Sequence, residues 1–196
     1  MARAAAEDAG APRARPLALN GTLGMALVVF VEIMMFVAFI SAFAIVQGSA
    51  IPGMWPPPGQ PRLPVERTAL NTLALLASGV ALAIGGRRFR TSGGPAAGPW
   101  MLAALALGAC FVGFQGVEWM ALLRQGLTLT SSQLGSFFYV IIGAHALHAV
   151  VAILALAWSV AAMRARRLTV SALSAVELFW YFVVLIWPVI YWKVYL

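Results

Sequence analysis

The chain has 196 residues, 62% of them hydrophobic and 10% charged, with a formal net charge of +7. A soluble domain carries about 25% charged residues, and a disordered chain needs low hydrophobicity and high charge, so both classes are excluded. The apolar residues come in blocks long enough to cross a bilayer, so the expected fold is all-α, a polytopic membrane protein of five transmembrane helices.

Positions 1–20 form a polar cytoplasmic tail rich in Ala, Pro and Arg, with Glu7 and Asp8 among the bases. It is not a signal peptide, because the apolar stretch behind it is too long and lacks a small-residue cleavage site. The transmembrane domain occupies 21–196. Its first helix is expected at 23–47, long enough for a ~30 Å hydrocarbon core. A loop of Pro52, Pro56, Pro57, Pro58, Gly59, Pro61 and Pro64 follows, too proline-rich to continue a helix.

The second helix is expected at 69–86, ended by Gly85-Gly86 and the cluster Arg87-Arg88-Phe89-Arg90. A Gly/Pro linker through Pro99 leads to a third at 100–123. Arg124 and a polar run from Thr128 to Gln133 precede the fourth, 134–163, which Arg164, Arg166 and Arg167 stop. The fifth, 172–190, gathers Trp180, Tyr181, Trp187, Tyr191, Trp192 and Tyr195 toward its end, an enrichment that fits a membrane–water boundary. No internal repeat is present, which weighs against inverted-repeat transporters.

The 13 basic residues sit in short clusters between apolar blocks and form no extended basic face, so nucleic acid is not an expected partner. Nine of them fall on the side of the N-terminal tail and four on the opposite side. The positive-inside rule therefore puts the N-terminus in the cytoplasm and the C-terminus outside. Lys193 is the only lysine and alanine is abundant, a composition associated with GC-rich bacteria. The expected location is a bacterial inner membrane.

Polar groups inside a bilayer are expensive and each needs a reason. Glu32 lies about 14 Å into the first helix, and His148 about 22 Å from the same side. A tilt of ~20° closes much of that difference, so a Glu32–His148 pairing is expected. His145 precedes His148 by three residues on the same helical face. Gln115, Glu118 and Trp119 lie near the outer end of the third helix, and Glu177 lies one turn before Tyr181. Glu118 and Glu177 are close enough to the interfaces to be read as structural groups. The other polar groups read equally as a proton path or as helix-pairing contacts, which contribute on average about 0.6 kcal/mol each.

A metal centre is not expected. A haem–copper site needs several imidazoles, and the chain has two histidines. A binuclear copper site needs paired cysteines, and Cys110 is alone. Carboxylate sites need Glu-x-x-His pairs on two helices, and no such spacing occurs.

Five segments together resemble subunit III of the haem–copper respiratory oxidases. The first helix carries Phe30-Val31-Glu32-Ile33-Met34-Met35-Phe36, and the outer loop carries Trp55-Pro56-Pro57 and Gly59. The second opens Asn71-Thr72 and continues Leu75-Leu76-Ala77-Ser78-Gly79-Val80. The third has Gln115, Glu118 and Trp119. The fourth has Gly135-Ser136, Phe138, then Gly143, His145 and His148. Longer members have seven helices, and this chain corresponds to a five-helix bacterial form lacking the first two. The family's last helix reads Tyr-Trp-His-Phe-Val-Asp, where this chain has Phe179-Trp180-Tyr181-Phe182-Val183-Val184. A titratable pair is therefore replaced by Tyr181 and Val184.

The resemblance implies an accessory subunit without haem or copper of its own, with those groups in partner subunits I and II. It implies bound phospholipid, in a groove separating the first two helices from the other three across the Pro52–Pro64 loop. It implies support of proton uptake and of the durability of subunit I. Trp55, Asn71, Trp119 and Tyr181 are read as lipid-contact or helix-packing residues. A relative associated with nitric oxide reductase and a small proton-coupled transporter using Glu32 and His148 are the alternatives.

Overall fold

A computed structural model describes residues 20–51, 61 and 63–195 of the chain. The N-terminal tail, most of the proline-rich loop including Trp55, and Leu196 lie outside the described residues. Five helices follow: α1 Asn20–Gly48, α2 Val65–Ser92, α3 Gly94–Arg124, α4 Gln133–Arg164 and α5 Val170–Val194. All five are long and apolar enough to span a bilayer. A helix satisfies its own backbone polar groups, which hydrocarbon cannot do.

The helix ends follow local chemistry. Ser132 accepts the Gly135 amide at 3.0 Å and Thr169 accepts that of Ala172 at 3.2 Å, capping α4 and α5. Helix α2 runs through the Gly85-Gly86 pair and the arginine cluster, beyond the end expected from sequence. Those glycines are packing positions, because side chains of α3 and α5 press against them. The Gly/Pro linker shrinks to Gly93, whose φ of 82° suits glycine. Pro95 sits in the first turn of α3, where its missing N–H costs nothing.

Helix α5 is the hub, touching α1, α2 and α4, while α3 bridges α2 and α4. Helix α1 packs only on α4 and α5 and makes no close approach to α2 or α3 among the described residues. The expected division between the first two helices and the other three is therefore corrected. Helix α2 is fastened to α3, and the gap falls between α1 and α2. The cause lies in small residues: Ser78, Ala81 and Gly85 on α2 meet Ala97, Ala104 and Gly108 on α3 at a buried seam.

A second correction concerns the aromatic residues of α5. Trp180 and Trp187 are fully buried, whereas Trp192 is exposed. Only the last turn of α5 has a boundary character. Trp180 fits against Gly108, where a Cβ would lie 2.5 Å from its ring.

Candidate functional site

The buried polar groups gather at three levels. At the end that carries the arginine clusters, Glu177 of α5 is clasped by Arg90 of α2, which also reaches Ser174 at 3.1 Å. Gly86 makes room for this, since a Cβ there would overlap the Glu177 carboxylate. Sequence reading had treated Arg90 as a topology signal only. The available hint was that Glu177, inside an apolar helix, required a partner.

At mid-depth, His148 Nε2 lies 3.0 Å from Glu32 Oε2, joining α4 to α1. It is an ion-pair distance without the alignment of a directed hydrogen bond. The other ring nitrogen, Nδ1, lies 2.7 Å from the Ala144 carbonyl, which only accepts, so Nδ1 carries a hydrogen. Two bare lone pairs would repel at the Glu32 contact, so one hydrogen also lies between Nε2 and the carboxylate. The pair can hold it on either partner.

Phe36 of α1 is fully buried and packs edge-on against both histidines, with ring centroids 6.4 Å from His145 and 5.6 Å from His148. The histidines therefore share a helix face yet meet different surroundings. His145 stacks on Trp187 at 4.8 Å and faces Gln115 across a small cavity. It does not approach Glu118.

Toward the opposite end, Glu118 Oε2 lies 2.9 Å from Thr68 Oγ1, joining α3 to α2. Asn71 donates to the Phe111 carbonyl at 3.0 Å and Ser78 to that of Ala104 at 2.8 Å. Trp187 donates to Thr72 at 2.8 Å and Tyr191 to the Val65 carbonyl at 3.0 Å, fixing α5 against α2. Gln115 donates to the Tyr195 hydroxyl at 3.1 Å. Burial, the largest influence, holds that phenol above its ordinary range, so it keeps its proton. Trp119 packs against Tyr139 at 5.3 Å and onto Gly143, while Tyr181 is half-buried one turn from Glu177. Thr68, Thr72, Trp187 and Tyr195 were not singled out by sequence as partners, because interhelical register is invisible in one chain.

Chemically, this arrangement fastens helices. Among the described residues no three His, Cys, Asp or Glu side chains converge as metal ligands. The fold and its polar contacts define a five-span, all-α membrane protein whose polar groups pair one helix with the next.

The family model described as Cytochrome c oxidase subunit III matches residues 15–196. The chain is 30% identical over 180 residues to "Cytochrome c oxidase subunit 3" of Pyricularia grisea, covering 88% of this chain and 66% of that one. It is 29% identical over 168 residues to "Probable cytochrome c oxidase subunit 3" of Nocardia farcinica, covering 80% and 77% respectively. It is 29% identical over 182 residues to "Cytochrome c oxidase subunit 3" of Synechocystis, covering 88% and 74%. This chain thus spans about two thirds to three quarters of these relatives' length. It belongs to the cytochrome c oxidase subunit III family.

Proposed function

We propose that this chain is the accessory subunit III of a haem–copper terminal oxidase in a bacterial inner membrane, with its N-terminus cytoplasmic. Oxygen chemistry, haem and copper belong to partner subunits I and II. This chain packs against subunit I, carries phospholipid in its surface grooves and lengthens the working life of the catalytic subunit while supporting proton uptake.

The observation that carries this reading is how the polar groups within the spans are used. Thr68, Asn71, Ser78, Arg90 and Trp187 each bond a group on another helix. Phe36 interrupts the polar line at mid-depth. A proton-coupled transporter would need that line open. The face of α1 turned away from the bundle exposes Leu27, Phe30, Val31 and Met34, suited to lipid or to an apolar partner helix.

Purification of the tagged chain from its native membrane tests the proposal. The expected preparation is coloured and contains haem-bearing partners in fixed ratio. A colourless chain isolated alone under mild detergent overturns it.

A further inference from the structure

We propose that the cavity between α3 and α4 binds a small cluster of water molecules, held jointly by His145 and Gln115. The cavity has a volume of about 90 Å³, with Phe111, Gln115, Trp119, His145, Ala149 and Trp187 in its walls. His145 is 1% exposed, and neither of its ring nitrogens has a protein partner. Gln115 is 6% exposed; its amide nitrogen is taken by Tyr195 and its Oε1 has no protein partner. Turning the amide over exchanges its two ends and still leaves one unmatched.

A neutral imidazole presents one N–H and one lone pair, so His145 needs a donor and an acceptor at once. Water is the ligand class that supplies both. Leaving a buried polar group unmatched costs about 1–3 kcal/mol, and His145 cannot turn away to avoid it. Its ring is stacked on Trp187 with an interplanar angle of 29° and is edged by Phe36 and Phe111. One water needs roughly 10–15 Å³ of such space and two to four polar partners. Room is therefore ample, and the number of polar groups sets the occupancy at about two or three waters. The remaining walls are aromatic or aliphatic, so the waters must bond one another as well as the two side chains.

The result is a hydrogen-bonded spur from His145, about 18 Å into α4 by the helical rise, through water and Gln115 to Tyr195 at the end of α5. Phe36 closes it off from the Glu32–His148 pair.

The first test is a map of the intact assembly at a resolution that shows ordered water. Density is expected within hydrogen-bonding distance of a His145 ring nitrogen and of Gln115 Oε1. A dry cavity, or a ring nitrogen bonded directly to protein, overturns the proposal. The second test is a thermal double-variant cycle with His145→Phe and Gln115→Met. Each single change leaves the water with one protein anchor and lowers Tm, while the double variant removes the need for water and melts above both. Additive losses overturn the proposal. Should a single variant fail to assemble, the wild-type map alone decides.

Discussion

Glu177 of α5 lies against the backbone of Gly86 on α2, in a space that no side chain at position 86 could share. Arg90, one turn further along α2, closes over the same carboxylate. Glycine here serves close approach, since the residue lies inside an ordinary helix. The contact locks the basic ends of α2 and α5 together, beside the turn at Gly93.

Gly86→Ala is expected to push Glu177 away and destabilise the folded chain by about 1–3 kcal/mol, the usual cost of overpacking. Thermal unfolding of the detergent-solubilised assembly measures it. An unchanged Tm would mean that Glu177 has another seat.

Arg90→Ala removes the base and leaves Glu177, whose side chain is 8% exposed, without its partner. Breaking a buried pair costs about 3–5 kcal/mol. Arg90 is 38% exposed, so solvent screens part of this and a loss nearer 1–2 kcal/mol is expected. Arg90→Lys recovers some stability but loses the second contact, to Ser174. Equal behaviour of the Ala and Lys variants would remove the charge from the explanation.

Orientation rests on charge asymmetry alone. A reporter fused after Leu196 is expected to read as external, and one inserted at Gly93, between α2 and α3, as cytoplasmic. The reverse pair of readings would overturn the assignment.

The five spans were legible because 18 or more apolar residues between charges admit little else. Helix ends were less so. Gly85-Gly86 followed by three arginines reads as a stop, yet lipid offers the backbone no alternative partner, so α2 continues until Gly93. Trp180 and Trp187 were misread because an aromatic residue near a helix end fits both a boundary and a core. Only the partner across the gap decides, Gly108 in one case and His145 in the other. Residues whose role lies in a cross-helix bond, such as Thr68 and Tyr195, leave no periodic signature. Glu32 and His148 were legible because a carboxylate and an imidazole at similar depth must each find relief.

Two histidines and one cysteine cannot build an oxidase redox centre, so the isolated chain is expected to contain neither haem nor copper by elemental and optical analysis. A stoichiometric metal that disappears in the His145→Ala, His148→Ala double variant would overturn the accessory reading.

The Glu32–His148 contact makes the sharpest demand. Glu32 stands on α1, which is held to the rest of the bundle through α4 and α5 only. His148 is fixed by its Nδ1–H bond to Ala144, so its Nε2 must meet whatever replaces Glu32. Alanine offers nothing, leaving the imidazole unmatched at a cost of about 1–3 kcal/mol. Glutamine offers an amide N–H to the Nε2 lone pair and preserves the contact without a charge. If the contact serves to hold α1 in place, Glu32→Ala is expected to weaken association with the haem-bearing partner or to shorten the time over which the oxidase keeps working. Its initial turnover stays close to wild type, and Glu32→Gln behaves much like wild type on every count. The measurement is turnovers completed before inactivation, alongside subunit ratio after purification. Loss of durability in both variants would shift the role from the hydrogen bond to the titratable carboxylate. Wild-type durability in Glu32→Ala would show that the pair does not hold α1 at all.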